Sequence, residues 1–166
     1  MITKEAAVAE QNHFLYPGMV FAKSEDFVIS TILGSCIAVC LWDRFLRVGG
    51  MNHYLLPLWN GEGLQTPKFG NVSIPALIDK MLLLGCTRGN LSAKVFGGSN
   101  VLETSSSFLR VGERNIHLAE TALKEAKITI ACKDVGGTQG RKILFRTSSG
   151  EVFVKKLREN SQSAAK

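Results

Sequence analysis

With 166 residues, 45% of them apolar, the chain can bury one substantial core but is too short for two ordinary domains. Its formal charge of +6 is spread over many segments, and only KKLREN near the C-terminus forms a basic cluster. That distribution permits an acidic partner, while the lack of a basic stripe or a set of stacking aromatics argues against nucleic acid. The opening MITKEAAVAEQNHF has no basic stretch leading into an apolar one, so it does not read as a secretory signal. The longest nearly apolar run, residues 29–42, falls short of the roughly 20 residues a membrane-spanning helix needs. Both points predict a soluble, cytoplasmic protein without membrane insertion. In such a compartment Cys36, Cys40, Cys86 and Cys132 are expected as free thiols.

Residues 1–17 read as a flexible arm or short strand, ahead of an ordered core covering about 18–157. FVISTILGSCIAVCLWD then has the Val, Ile and Phe content of strand, and after its glycine it is apolar in both alternating phases, as a strand buried on both faces would be. Asp43 and Arg44 turn the chain. RVGGMNHYLLP returns antiparallel, with Gly49-Gly50 expected as a bulge and Pro57 as the stop. LWNGEGLQTPKFGN is a surface loop by its glycines and proline. Ile74, Leu77, Ile78, Met81 and Leu84 then recur at helical spacing, with Ser73 as the cap and Gly85 as the stop. A short strand over 93–96 ends at Gly97-Gly98. A second helix over 112–126 puts Ile116, Ala119, Ala122, Leu123 and Ala126 on its inner face. ITIACKDV is a strand, RKILFRTSSGEVFVKKL is a hairpin turning at Ser148-Ser149-Gly150, and the basic tail 158–166, with SQSAAK at its end, is expected to be flexible. About seven strands with two helices predict a layered α+β architecture, not an alternating βαβ fold, in a single domain.

The chemistry-bearing candidates converge on one hairpin. On a strand, Cys36 and Cys40 lie about 13 Å apart, beyond what two zinc–thiolate bonds span and beyond the roughly 7 Å limit for a disulfide. That geometry argues against a metal pair and against a thiol redox sensor. A nucleophilic thiol needs a base beside it. The return strand can bring His53 next to Cys36, Gly34 allows the backbone to bend before the sulfur, and N–H groups around Ser35 and Cys36 are candidates to stabilise an oxyanion. The plainer alternative is that a cysteine in an apolar strand is a small core residue and that His53 is a hydrogen-bonded structural histidine. Cys40, Cys86 and Cys132 fit that reading. His117 is expected to be solvated, and Ser30 and Thr31 are most simply strand residues.

LGSCIAVCLWD followed by GGMNHYLLP resembles the chemoreceptor glutamine deamidases of bacterial and archaeal chemotaxis, the CheD family. KVFGGSNVL, VGERNI and DVGGTQGRKILFRTSSGEV follow in the family's order and spacing. The resemblance implies Cys36 as nucleophile and His53 as general base and acid. It also implies a hydroxyl residue six positions before the cysteine that orients the imidazole; here that position is Ser30, with Thr31 as the fallback. The implied reaction is a protein-glutamine glutaminase reaction through a thioester, with no cofactor and no metal. The implied fold is an α+β layered sandwich of mixed β-sheets with helices outside, the cysteine-hydrolase type similar to deamidating bacterial toxins. The implied substrate is the cytoplasmic helical bundle of methyl-accepting chemotaxis receptors, and the phosphatase CheC is an implied partner. LWNGEGLQTPKF and FGGSN are positioned to shape the cleft. The rival reading is a largely non-catalytic adapter regulating a chemotaxis phosphatase or receptor.

Overall fold

A computed structural model describes residues 10–100 and 110–158. The terminal SQSAAK and the first nine residues of the expected arm lie outside the described residues. The chain forms β1 (Gln11–Phe14), β2 (Val20–Lys23), β3 (Phe27–Leu33), β4 (Ile37–Asp43), β5 (Val48–Asn52), α1 (Gly70–Leu83), β6 (Leu91–Gly97), α2 (Val111–Glu125), β7 (Thr129–Val135), β8 (Arg141–Arg146) and β9 (Val152–Lys156). Residues 11–14, read as part of an arm, thus form an edge strand on β3.

Two mixed sheets stack. One runs β1-β3-β8-β9 and the other β2-β5-β4-β6-β7. The parallel pairs are β1 with β3 and β6 with β7; the remaining pairs are antiparallel. Both helices pack on the five-stranded sheet, whose opposite face meets the four-stranded sheet. The layers are therefore helix, sheet, sheet, an α+β sandwich as expected.

Covering on both sides explains why β4 is apolar in both phases. Ile37, Val39 and Leu41 enter the core beneath the helices, whereas Ala38 and Cys40 face Leu33, Ile143 and Phe145 across the sandwich. The break at residues 34–36 is where the chain leaves one sheet for the other, so FVISTIL and IAVCLWD belong to different layers.

Three local expectations are corrected. Gly49 and Gly50 form no bulge, since β4 and β5 keep one register through both. A Cβ on Gly49 would lie 2.8 Å from the Phe145 ring, and one on Gly50 would lie 2.7 Å from Ala22 Cβ, so both glycines are there for close packing on opposite faces. The cap of α1 lies four residues before the expected one: Phe69 is the N-cap residue and Ser73 lies buried within the helix. Cys132 is exposed on edge strand β7 rather than packed in the core, unlike the buried Cys40 and Cys86. His117 is exposed on α2, as expected.

Candidate active site

Cys36 and His53 are brought onto adjoining segments because the hairpin extends one pair beyond β4 and β5. Ile37 N–H donates to the Tyr54 carbonyl at 3.1 Å, and Tyr54 N–H donates to the Ile37 carbonyl at 3.0 Å. Ile37 and Tyr54 point into the helix-side core. Their preceding residues, Cys36 and His53, alternate to the face that meets the other sheet, as diagonal neighbours across the bridge.

The facing sheet supplies the imidazole's partner, and it is Thr31. Its Oγ1 lies 2.8 Å from His53 Nδ1 and 2.7 Å from the Leu15 carbonyl oxygen. Ser30, expected to orient the imidazole, does not reach it. Along β3 the residues Ile29, Thr31 and Leu33 face inward, while Ser30 sits half-buried on the outer side and Ile32 is exposed there. A strand turns over at every residue, so two adjacent hydroxyls cannot both face the sandwich interior.

Counting protons assigns the histidine tautomer. A threonine hydroxyl has one hydrogen, and a carbonyl oxygen can only accept, so that hydrogen goes to Leu15. Thr31 Oγ1 must then accept from His53, placing the ring proton on Nδ1. Nε2 is left with its lone pair, buried and without a hydrogen-bond partner among the described residues. Burial lowers the His53 pKa to about 4 and raises that of the Cys36 thiol, the latter partly offset by its own backbone N–H. At neutral pH the site therefore rests as a neutral thiol beside a neutral imidazole.

The loop carrying the thiol is held at each of its carbonyls. Gly34 O accepts from Ser99 N–H at 3.0 Å, Cys36 O from Gly98 N–H at 2.8 Å, and Ser35 O from the Asn115 side-chain amide at 2.9 Å. No described group accepts from the N–H of Ser35. The FGGSN segment thus supports the backbone around Cys36. The end of the LWNGEGLQTPKF loop is tied just after His53, where the N–H groups of Leu55 and Leu56 both donate to the Lys68 carbonyl. The turn at residues 15–19 closes the other side: Gly18 N–H donates to the His53 carbonyl, and His53 N–H donates to that of Met19. Tyr16, Met19 and Leu56 stand exposed around this rim.

Residues 55–156 match the family described as CheD chemotactic sensory transduction. The chain is 47% identical over 152 residues to a probable chemoreceptor glutamine deamidase CheD of Trichlorobacter lovleyi, covering 92% of this chain and 94% of that protein. The chain belongs to the CheD family. It is also 45% identical to a CheD relative of the same name from Sulfurimonas denitrificans, over 87% of this chain and 94% of that one. A third relative, probable chemoreceptor glutamine deamidase CheD 1 of Anaeromyxobacter dehalogenans, is 42% identical over 87% of this chain and 84% of its own.

Sequence reasoning missed two contributors to this CheD site. Asn115 lies buried on α2 and Arg141 is 1% exposed on β8, where it reaches the carbonyls of Gly97 and Gly136 and the Asp134 carboxylate. Both lie in motifs that carried the family resemblance, VGERNI and GGTQGRKIL, but polar side chains in those positions have no periodic signal that says where they point. Among the described residues no group of acidic, histidine or cysteine side chains is arranged to hold a metal ion, and no helix is long and apolar enough to cross a membrane.

Proposed function

We propose that this protein is an amidohydrolase that converts glutamine side chains of chemotaxis receptors to glutamate, with Cys36 as nucleophile and His53 as general base and acid. The observation that carries the reading is the Thr31–His53 hydrogen bond, which leaves a buried, unprotonated Nε2 on the residue diagonal to Cys36 across the hairpin. The names of the relatives support the choice of substrate.

Because both groups rest neutral, the thiolate forms during attack. His53 Nε2 takes the Cys36 proton as the sulfur bonds to the side-chain carbonyl carbon of glutamine. The carbonyl electrons move to oxygen, for which the N–H groups of Ser35 and Cys36, freed from strand pairing by the bend at Gly34, are the candidate donors. The imidazolium returns its proton to the amide nitrogen, the carbon–nitrogen bond breaks, and ammonia leaves. Water then gives a proton to His53 and attacks the Cys36 thioester, releasing glutamate and restoring the thiol. Thr31 keeps the imidazole in the required tautomer throughout, and the positive charge that His53 gains transiently is tolerated only briefly in so dry a site.

The test is incubation with the cytoplasmic fragment of a receptor from the same organism, followed by peptide mass spectrometry. Replacement of amide nitrogen by oxygen at defined glutamines is expected with the wild type and absent with Cys36→Ala and His53→Gln. Full activity in Cys36→Ala would overturn the mechanism. A fragment that binds tightly and is never modified would favour the adapter reading. The phosphatase CheC, if it docks over the Cys36 rim, should lower turnover in the same assay.

A further inference from the structure

We infer that Asn115 of α2 is a positioning residue, whose side-chain amide clamps the loop carrying Cys36 to the segment carrying His53. The inference rests on the reading of those two residues as a catalytic pair and extends it to a third element of the fold.

Both amide hydrogens of Asn115 leave its own helix. Nδ2 lies 2.9 Å from the carbonyl oxygen of Ser35, one residue before the nucleophile, and 2.9 Å from that of Leu55, two residues after the histidine. Two carbonyl oxygens cannot hydrogen-bond each other, so the amide between them is what joins the two segments at that point. Those two acceptors also define the orientation of the side chain, since a flipped amide would set oxygen against oxygen. The residue is fully buried, so water does not compete for either bond.

The backbone of Asn115 takes part as well, its carbonyl accepting from the Tyr54 hydroxyl. Three consecutive residues, 53–55, are therefore built into one unit with α2: His53 bears the base, Tyr54 bonds the helix backbone, and Leu55 bonds the helix side chain.

The approach of α2 that makes this possible depends on Gly112. A Cβ there would lie 2.5 Å from the Gly98 carbonyl oxygen, and Gly98 is the residue whose N–H holds the Cys36 carbonyl. A side chain serving only helix stability would bond its own helix or neighbouring helical residues. This one spends both donors on the two segments whose separation sets the thiol–imidazole distance, and misplacement by an ångström costs a reaction on the order of a hundredfold.

The test reads nucleophile activation without the receptor. p-Nitrophenyl acetate is added to the full-length protein: the Cys36 sulfur displaces p-nitrophenolate, the thiol proton passes to His53, and an acetyl thioester forms on Cys36. The burst of p-nitrophenolate above the Cys36→Ala background gives the acylation rate. That background also removes any contribution from the exposed Cys132.

Asn115→Ala and Asn115→Asp should each slow acylation on the order of a hundredfold. Leu123→Ala, a core truncation about two turns farther along the same helix, controls for loss of helix packing and should keep the wild-type rate at a comparable loss of Tm. The pH profile gives a second readout: the wild-type rate should follow titration of His53, whereas the Asn115 variants should accelerate only as the thiol itself ionises at high pH. A wild-type rate and profile in a folded Asn115→Ala protein would overturn the clamp, as would an equal loss of rate in Leu123→Ala. A wild-type burst independent of both Cys36 and His53 would instead overturn the catalytic pair, and the positioning role with it.

Discussion

At the scale of single residues, the decisive group is a histidine that cannot hold a proton comfortably. In the unfolded chain His53 binds one below about pH 6.5, whereas the folded site resists protonation until about pH 4. Across that window the unfolded state binds more protons, so stability is complete above about pH 6.5 and is lost as the pH falls toward 4. The loss amounts to about 3 kcal/mol from this group. Denaturant unfolding at a series of pH values should show this slope in the wild type, and the slope between pH 6.5 and 4 should be shallower in His53→Gln. The two neighbouring hydroxyls of β3 offer a sharper contrast. Thr31→Val keeps shape but strands both His53 Nδ1 and the Leu15 carbonyl, so it should lower stability by about 1–3 kcal/mol and reduce turnover on the order of a hundredfold. Ser30→Ala, on the outer side of the same strand, should leave both within error. The reverse pattern in a steady-state assay and thermal melt would show that the other hydroxyl serves the imidazole.

At the scale of elements, the site depends on turns that come closer to one another than side chains would allow. Gly97 has φ +106°, and a Cβ there would collide with the Cys36 carbonyl oxygen that Gly98 N–H binds. The buried Arg141 guanidinium completes this corner, donating to Gly97 O at 3.2 Å and Gly136 O at 2.6 Å, while its Nε reaches Asp134 at 3.1 Å. Gly97→Ala should therefore destabilise the fold by roughly 1–3 kcal/mol from backbone strain, with the collision added, and should cut acylation of Cys36 more than the melt alone accounts for. Unchanged acylation in that variant would mean that the loop accommodates the extra carbon without moving the thiol. The same scale shows where sequence patterns fail. In VISTIL, apolar and hydroxyl residues occupy both phases of the strand, so no alternation tells whether position 30 or 31 faces inward; the phase is set by pairing with β1 and β8. Gly49-Gly50 misled for a related reason. A glycine pair is equally the mark of a bulge and of two close contacts, and the contacts come from Phe145 and Leu77, far away in the chain.

At the scale of the whole molecule, the proposed catalytic pair is attached to the best-covered part of the sandwich. β4 is bonded on both edges, by β5 and β6, and packed on both faces, by the helices and by the second sheet. β1 and β9 are edge strands of the smaller sheet. Native-state hydrogen exchange should find the β4 amides opening only with global unfolding, and those of β1 and β9 at lower free energy. Exchange of β4 at the rate of the edges would show that the sandwich does not hold the site rigidly.

The α+β class, the two-faced burial of β4, the hairpin that returns at His53, both helices and the β8–β9 turn could be read from the chain, because each is written in local periodicity and turn residues. The residue that orients the imidazole, the amide of Asn115 and the guanidinium of Arg141 could not. Each acts through a hydrogen bond to a segment distant in sequence, and a polar residue's direction is chosen by the layer that packs against it. Cys36 and His53 lie between these cases: local pattern brings their strands together, but the second sheet supplies Thr31, and with it the tautomer that leaves Nε2 free to take a proton.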